Sequence, residues 1–365
     1  MKTRAAVLYE ANTPLRVEEL ELDPPKAGEV LVRVAANGVC RSDYHTMIGE
    51  WTMPLPMVLG HEGAGIVEAV GEGVTRSKPG DHVILNFRPN CGWCSHCVSG
   101  HPVRCSGTDK PRWKLFDGTV RLHRGDIDIH HYARTASLAE YCVVPESGAV
   151  PVRHDMPLEK ASLIGCSVTT GVCAVTNTAK VEPGSSVVVF GIGGVGLNVI
   201  QGAVLAGAGQ IIAVDPLENK LAYAKEFGAT DIIVSGSGGI VDRIKDMTHG
   251  GADYAFDAIG NNEVIQNAFD CTRLGGTTVL VGMAPETQTF TLNALNIPRT
   301  EKVLMGSWYG SAQPWRDLPK MADLYLSGKL KIDEMITREY PIDQVNKAYQ
   351  ALADGEVARS IIRFY

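Results

Sequence analysis

The stretch SVVVFGIGGVG, residues 186–196, decides the fold of the second half of the chain. Its apolar run predicts a buried strand, and the motif G-x-G-x-x-G follows that strand and opens a helical pattern. The first glycine permits a tight turn, the second lets the backbone approach a pyrophosphate, and the third lets the helix pack on the strand. The residues predicted to cradle a dinucleotide are Gly191, Gly193, Gly194, Val195 and Gly196.

The next apolar run, QIIAV at 210–214, ends in Asp215, 19 residues after Gly196. A carboxylate there can accept hydrogen bonds from the adenosine ribose hydroxyls and repel a 2′-phosphate, which favours NAD over NADP. Lys220, one helical turn further on, is a second candidate at the ribose. A glycine-rich turn without a ligand is the alternative, but the strand, the helix and the terminal Asp215 together favour NAD binding.

Two different patterns divide the chain. From residue 168 onward six apolar runs alternate with helical patterns, which predicts an α/β Rossmann domain with a doubly wound parallel sheet at 168–308. Before it, short β-like runs punctuated by glycine, such as GEVLVRV and GAGIVEAV, predict a mostly β domain. We assign residues 1–167 and 309–365 to that domain, with the last strand, ARSIIRFY, returning to it.

The composition restricts the classes of function. A chain of 365 residues predicts two domains, and a net charge of −7 without a basic run predicts no nucleic-acid partner. The apolar runs at 186–190 and 210–214 are too short to span a bilayer. The start, MKTRAAVLYEANTP, lacks the apolar core of a signal peptide, so we expect no membrane association and a cytoplasmic location.

Four of the nine cysteines lie within 15 residues: Cys91, Cys94, Cys97 and Cys105. Four thiolates from one loop match the closed tetrahedral ligand set of a structural zinc ion. Reduced surface thiols are an alternative, although they would be an oxidation liability. An iron–sulfur cluster is another, but its bacterial motif places the fourth cysteine after three residues, whereas here seven intervene.

Outside the four-cysteine loop, three further residues are candidate metal ligands. Cys40 follows a predicted strand, His61 precedes Glu62 in Gly-His-Glu-Gly, and Cys166 stands just before the Rossmann pattern begins. Two thiolates and one imidazole form an open zinc site whose fourth position takes water or substrate. Taken singly, a cysteine is more often a buried small hydrophobe, and a lone histidine is more often a core side chain.

The order and spacing of these motifs resemble the zinc-containing medium-chain alcohol dehydrogenases over essentially the whole chain. The matching motifs are Cys40-Arg-Ser-Asp, Gly60-His-Glu-Gly, the four-cysteine loop, Cys166 and GIGGVG. The resemblance implies a GroES-like catalytic domain beside the Rossmann domain. The stretch between Cys105 and Glu140 looks like the longer, dimeric class I and class III form.

For the metal, the resemblance implies two zinc ions per subunit. Cys40, His61 and Cys166 would hold the catalytic ion and the four-cysteine loop the structural one. Glu62 would lie behind the catalytic ion and assist ligand exchange. Asp43 looks like the carboxylate that orients His61, as zinc-bound imidazoles normally require.

For proton transfer, Ser42 looks like the hydroxyl that touches the substrate oxygen, and His45 like the surface end of the family's relay. Arg41 and Arg359 match arginines that bind the pyrophosphate. The plain alternatives are a capping Ser42, an exposed His45 and solvated arginines.

The implied reaction is reversible hydride transfer between a primary alcohol and NAD. A largely aromatic pocket wall would favour aromatic or medium-chain primary alcohols over small ones. Some of these rings can equally be core or interface residues. The residues predicted to form the wall are Trp51, Phe87, Tyr132, Met283 and Trp308.

Three other readings stay open. A glutathione-dependent formaldehyde dehydrogenase is one, although Met47–Met53 and Gly107–Lys114 do not clearly reproduce its charged pocket. A nicotinoprotein that keeps NAD(H) bound and uses an artificial dye acceptor is another, because ELELDPPKAGEVLVRVAANGVC resembles such bacterial enzymes. A non-catalytic NAD-binding protein on the same fold is the third. The long form favours a homodimer over a homotetramer.

Overall fold

The computed structural model describes residues 1–107, 109–236, 238–356 and 358–365. Thr108, within the Gly107–Lys114 stretch, lies outside the described residues. The chain forms two compact units. The first, which we call the β unit, comprises Met1–Cys166 and Gln313–Tyr365, and the second, the Rossmann unit, comprises Ser167–Ala312.

The N-terminal part of the β unit consists of short strands and short helices. Its strands are β1 Lys2–Leu8, β2 Arg16–Leu22, β3 Glu29–Gly38, β4 Met57–Val58, β5 Gly63–Val70, β6 His82–Leu85, β7 Leu122–Arg124, β8 Ile127–His131, β9 Tyr141–Pro145 and β10 Ala149–Val152. Its helices are α1 Arg41–Met47, α2 Ser95–Val98 and α3 Leu158–Leu163.

The Rossmann unit alternates helices and strands. Its elements are α4 Thr169–Cys173, β11 Ser186–Phe190, α5 Gly194–Ala206, β12 Gln210–Asp215, α6 Glu218–Glu226, β13 Asp231–Val234, α7 Ile240–Met247, β14 Ala252–Asp257, α8 Asn262–Asp270, β15 Thr272–Leu280, α9 Asn296–Thr300 and β16 Val303–Gly306. The chain then returns to the β unit as α10 Pro314–Leu326, β17 Ile336–Pro341, α11 Val345–Ala353 and β18 Arg359–Arg363.

The β unit contains a closed barrel and a larger sheet. The barrel runs β1-β2-β7-β8-β4, and the sheet runs β10-β6-β5-β3-β18-β17, with β9 also paired to β3. Most residues of β3 are buried, which explains why its sequence is almost continuously apolar. The C-terminal β18 pairs antiparallel with β3, so residues near both ends of the chain meet in one sheet.

The Rossmann unit has one six-stranded parallel sheet, in the order β13-β12-β11-β14-β15-β16. Helices connect these strands, as parallel pairing requires. The apolar residues Val188, Phe190 and Ile212 are buried in its core, since both faces of such a sheet are covered. The predicted fold class, a mostly β domain with a doubly wound parallel sheet, is confirmed.

One helical run among the described residues, Leu158–Ala179, meets the length and hydropathy expected of a membrane span, with a mean hydropathy of 1.2. The sequence interpretation above did not single out this run. Within the most apolar 18 residues of this run, 83% of the stretch is buried inside the structure. The buried core helix of a folded domain can have the same length and composition, so this run is weak evidence for a membrane span. The run contains two π-helical segments, Ile164–Val168 and Ala174–Ala179.

Candidate metal and cofactor sites

Four ligand side chains converge inside the β unit. One ligand atom from each of Cys40, His61, Glu62 and Cys166 lies within 4.8 Å of the others, and all four residues are buried. Cys40 follows β3 and precedes α1, and His61 and Glu62 form the turn before β5. Cys166 lies in the first π-helical segment, an irregularity that often marks a functional position in a helix.

A buried carboxylate fixes the orientation of His61. The Nδ1 of His61 donates a hydrogen bond to Oδ1 of Asp43 over 3.1 Å, and the backbone N–H of Gly60 donates to the same oxygen over 3.0 Å. Asp43 is fully buried on α1. With Nδ1 engaged, Nε2 is the nitrogen available to a metal ion. Gly60 has φ +91°, and a Cβ there would approach the backbone nitrogen of Leu138 to 2.4 Å, so this turn requires glycine.

The charges in this cluster suit a divalent cation. A hydrogen bond with Cys166, together with the His61 ring, holds the pKa of the Cys40 thiol well below its usual value although burial opposes this. Burial lowers the pKa of His61, but Asp43 and Cys40 outweigh it and raise that pKa to about 10. The raised pKa of His61 means that the neighbouring anions favour a positive charge at the ring. A zinc ion bound by the Cys40 and Cys166 thiolates and by Nε2 would supply that charge in place of the proton.

Arg359 lies in the same cluster. Its guanidinium, buried on β18, donates to the carboxylate of Glu62. Burial lowers the pKa of Arg359, whereas the neighbouring Cys40 raises it. The role of Arg359 at a pyrophosphate stays a prediction, because in this structure the side chain neutralises Glu62. Arg41 is exposed at the start of α1, with its guanidinium 5.4 Å from the centre of the Tyr44 ring.

The four-cysteine loop has the dimensions of a zinc site. Its Sγ–Sγ distances are 3.5 Å for Cys94–Cys97, 3.9 Å for Cys91–Cys97 and 3.9 Å for Cys94–Cys105. A tetrahedron with Zn–S bonds of about 2.3 Å has edges of about 3.8 Å. Backbone N–H groups, of which that of Cys97 is the strongest influence, lower the pKa of Cys94 to about 5, whereas burial raises the pKa of Cys97 to about 12. Four close sulfurs do not all ionise by themselves, and a bound cation would stabilise all four as thiolates.

The loop backbone is folded closely around the sulfurs. A Cβ at Gly107 would lie 2.0 Å from Sγ of Cys91. The backbone N–H of Cys94 donates to Sγ of Cys91 over 3.4 Å, and that of Cys91 donates to Sγ of Cys105 over 3.3 Å. Such N–H···S bonds are the usual outer support of thiolate ligands.

Two aromatic rings flank His61. The ring of Phe87 lies edge-on at 5.3 Å between centroids, and the ring of Tyr132 lies at 5.5 Å. The Tyr132 hydroxyl donates to the backbone oxygen of Ser42 over 3.1 Å. Ser42 and His45 are three residues apart on α1, so they share one face of that helix.

Trp51, which was predicted to line the substrate pocket, contacts a histidine of α1. Its ring stacks on His45, with centroids 4.8 Å apart. It also borders a cavity of about 190 Å³ with only uncharged neighbours, among them Met53 and Leu55. Met283 and Trp308, in the Rossmann unit, are 49% and 44% exposed. Their place in a pocket wall stays a prediction.

The glycine-rich turn has the backbone geometry of a phosphate cradle. Gly191 has φ +90°, and a Cβ at Gly196 would meet the carbonyl oxygen of Gly191 at 1.8 Å. A Cβ at Gly193 would meet nothing within 4 Å, so the backbone faces open space at the start of α5. The N–H groups of Gly194 and Val195, in the first turn of α5, have no acceptor within the helix and suit an anion.

Asp215 supports this turn from the end of β12. Its carboxylate accepts hydrogen bonds from the backbone N–H groups of Ile192, over 2.8 Å, and Leu217, over 3.0 Å. A carboxylate has about four lone-pair positions, so it can still accept from a ribose. Lys220, on α6, is half-buried. The role of Asp215 at the ribose stays a prediction, and the hydrogen bond from Ile192, by which the carboxylate holds the glycine turn, was not expected from the sequence.

A parallel sheet with a phosphate-binding turn, together with one open and one closed zinc-type ligand set, defines a zinc-binding, nucleotide-dependent dehydrogenase. Comparison with known proteins agrees. The family model described as "Alcohol dehydrogenase GroES-like domain" matches residues 26–157, and that described as "Zinc-binding dehydrogenase" matches residues 194–327. The chain belongs to the zinc-binding alcohol dehydrogenase family.

The relatives extend over the whole chain. It is 42% identical to the S-(hydroxymethyl)glutathione dehydrogenase of Paracoccus denitrificans, covering 100% of both chains. It is 40% identical to the NDMA-dependent alcohol dehydrogenase of Amycolatopsis methanolica, covering 99% of both. The benzyl alcohol dehydrogenase of Acinetobacter calcoaceticus superposes with a TM-score of 0.93 at 33% identity, covering 100% of both chains.

These findings confirm the predicted family and its oxidoreductase class. They also remove support from the reading as a non-catalytic protein, since these relatives are all named dehydrogenases. Relatives named for an alcohol, for the glutathione adduct and for an artificial acceptor are each similar to nearly the whole chain.

Proposed function

We propose that the protein oxidises aromatic or medium-chain primary alcohols to aldehydes, and reduces the aldehydes, with NAD as the hydride carrier. The observation that carries this proposal is the buried cluster of Cys40, His61 and Cys166, oriented through Asp43. Two thiolates and one imidazole leave a fourth position open on a zinc ion. The rings of Phe87 and Tyr132 beside His61 suit an apolar substrate.

The residues of the chain fit both zinc and NAD. Cys40, His61 and Cys166 would hold the catalytic zinc, the four cysteines the structural zinc, and the Gly191–Gly196 turn with Asp215 the NAD. When bound, zinc supplies Lewis acidity at the alcohol oxygen and NAD accepts the hydride. A tetrahedral four-thiolate site is closed, so it stabilises the fold and takes no part in the reaction.

The protein's own side chains transfer the proton, orient the metal ligand and exclude water. Ser42 hydrogen-bonds the substrate hydroxyl and passes on its proton, and His45, on the same face of α1, delivers that proton to water. Asp43 keeps His61 in one tautomer, and Glu62, paired with Arg359, lies next to the ligand atoms where it can assist ligand exchange. The apolar walls exclude water from the reacting centre.

The surroundings of Trp51 favour an uncharged substrate over the glutathione adduct. A cavity of about 190 Å³ beside it is bordered by Ala11, Thr46, Gly49, Trp51, Thr52, Met53 and Leu55, none of which is charged. Recognition of an anionic thiol adduct requires cationic partners such as arginine. We take this cavity as the outer part of the substrate site, and a site without cationic side chains binds flat or long apolar alcohols better.

The direct test is a comparison of kcat/KM with NAD for benzyl alcohol, hexanol, ethanol and S-(hydroxymethyl)glutathione. The proposal expects the first two to exceed the other two by about tenfold or more, since each methylene in an apolar pocket is worth about 1 kcal/mol. A preference for the glutathione adduct would overturn the substrate assignment and leave the dehydrogenase class intact.

A cofactor-retaining enzyme is the second candidate, because the chain is 40% identical to the NDMA-dependent alcohol dehydrogenase over nearly all of both proteins. The two candidates differ in nucleotide content. Near one NAD(H) per subunit after purification without added cofactor, with turnover only when an artificial acceptor is present, supports retention. An empty site with NAD-dependent turnover supports exchange.

For the assembly we propose a homodimer formed through β16, the edge strand of the Rossmann sheet. An edge strand offers unpaired backbone groups, and Val303 on it is 42% exposed. Further exposed apolar residues lie in the chain just before it: Phe290, Leu295 and Ile297. Sedimentation of the wild type and of Val303→Lys tests this, since a monomeric wild type or an unaffected variant would contradict it. A tetramer is the other expected assembly. We expect a cytoplasmic location, because cysteines kept reduced and gathered in zinc-type ligand sets are typical of a reducing compartment.

A further inference from the structure

The chain folds back on His45 directly after α1. The backbone oxygen of His45 accepts from the N–H of Glu50, over 2.9 Å, and from the N–H of Trp51, over 3.3 Å. Gly49, with φ +73°, provides the left-handed residue that reverses the chain there. This loop brings the two side chains that follow the glycine back to the histidine from which the loop started.

Both side chains contact the imidazole. The carboxylate of Glu50 makes a hydrogen bond with Nδ1 of His45, and the indole of Trp51 stacks on the imidazole at 4.8 Å with an interplanar angle of 24°. The His45 side chain is only 14% exposed as a result. Two independent contacts, one to an edge of the ring and one to its face, therefore fix the position and rotation of the imidazole.

The hydrogen bond also determines which nitrogen carries the proton. An ionised carboxylate only accepts hydrogen bonds, so Nδ1 of His45 must be the donor. In the neutral imidazole Nε2 then keeps its lone pair. We propose that Glu50 is a positioning residue of the proton relay, which holds His45 in the tautomer whose Nε2 can accept a proton, and that Trp51 holds the ring in place.

This inference rests on the proposed function, in which His45 takes the proton that the alcohol loses. The alcohol's proton is added to Nε2, and the resulting imidazolium returns a proton to water. The carboxylate of Glu50 accepts the hydrogen bond from Nδ1 before and after this transfer, so the ring keeps its position while Nε2 gains and loses the proton. Glu50 thus acts only through His45, which makes its role separable from a structural one.

The test uses two replacements of Glu50 and one control. Glu50→Leu removes the acceptor, whereas Glu50→Gln keeps an acceptor oxygen and removes the charge. Glu72→Leu is the control, because Glu72 is exposed in the turn after β5. Each change is made in the wild type and in His45→Gln, and kcat for benzyl alcohol is measured with the zinc-loaded enzyme.

In the wild-type background we expect kcat to fall about tenfold or more for His45→Gln and about tenfold for Glu50→Leu. Both losses are smaller than the roughly hundredfold or more that a positioned general base can contribute. Glu50→Gln should lose less activity than Glu50→Leu, because it keeps an acceptor oxygen for Nδ1 but lacks the charge. In the His45→Gln background Glu50→Leu should have no further effect, since the two residues form one unit. Equal losses in both backgrounds would overturn the proposal, because they would mean that Glu50 acts elsewhere.

A second readout does not depend on activity. Nitrogen NMR of histidine-labelled protein, with His45 assigned from the His45→Gln variant, should show the proton on Nδ1 in the wild type and a shift toward Nε2 in Glu50→Leu. A proton on Nε2 in the wild type would overturn the proposal. If the tautomer changes as expected but His45→Gln leaves kcat unchanged, the relay of the proposed function fails while the placement by Glu50 stands.

Discussion

The hydrogen bond between Asp43 and His61 should determine how tightly the catalytic ligand set holds zinc. Asp43→Asn keeps an oxygen for the N–H groups of His61 and Gly60 but removes the negative charge. The Gly60 bond is made whether or not zinc is bound, so only the bond to His61 affects zinc affinity. A hydrogen bond to a charged partner is worth roughly 1–1.5 kcal/mol more than a neutral one, which corresponds to about tenfold weaker zinc binding, at the lower end of the 10–100-fold range expected for an outer partner of a metal ligand.

A chelator competition measures this directly. Wild type and Asp43→Asn are titrated with a chelator, and the zinc that leaves is counted at each concentration, with the zinc of the four-cysteine loop as an internal reference. Asp126→Asn, an exposed aspartate in the β7–β8 turn, serves as the control and should match the wild type. The reasoning is refuted if Asp43→Asn releases both zinc ions at the same chelator concentrations as the wild type.

Three further predictions concern other parts of the molecule. Cys97→Ser should lower the zinc content from two to one per subunit and reduce thermal stability, because a closed structural site contributes folding free energy; an unchanged melting temperature would contradict this. Glu29→Gln should lower stability by about 1–3 kcal/mol, or Tm by a few degrees, because the fully buried Arg121 loses its bidentate carboxylate and keeps Asp117 as its ionic partner; Glu19→Gln, at an exposed ion pair, is the matched control. Asp215→Asn should raise KM for NAD about tenfold and make NADP usable, since it removes the charge that repels a 2′-phosphate; unchanged discrimination in cofactor assays would refute that role.

The sequence predicted the Rossmann unit well because its signal is local. The strands β11 and β12 are short continuous apolar runs, and the glycine motif stands directly between β11 and α5. Burial on both faces of a parallel sheet dictates this composition residue by residue. The cysteine loop is local in the same way, since its four sulfurs meet within 15 residues of chain.

The catalytic ligand set could not be obtained from spacing alone. Cys40, His61 and Cys166 come from three separate parts of the chain, and the sheet that contains β3 and β5 brings them together. No local rule connects positions 40 and 166, so only the resemblance to a family identified them as one site. The structure then places them together, with Asp43 in the orienting position that the resemblance implied.

Other features depend on contacts that a sequence does not display. Arg359 was expected at the cofactor, yet its contact with Glu62 arises only because β18 pairs with β3. Trp51 was expected to line the substrate pocket, and its stacking on His45 follows from a chain reversal at Gly49. Glu50 carried no sequence signal, because a single glutamate after a helix is normally a solvated side chain.

The most direct test of the account is the zinc content of the wild type and of Cys166→Ala, measured after denaturation. We predict two zinc ions per subunit in the wild type and one in Cys166→Ala, with the circular dichroism spectrum little changed because the structural ion stays in place. One zinc ion in the wild type, or two in Cys166→Ala, would mean that Cys40, His61 and Cys166 do not hold a metal, and would contradict the proposed catalytic site.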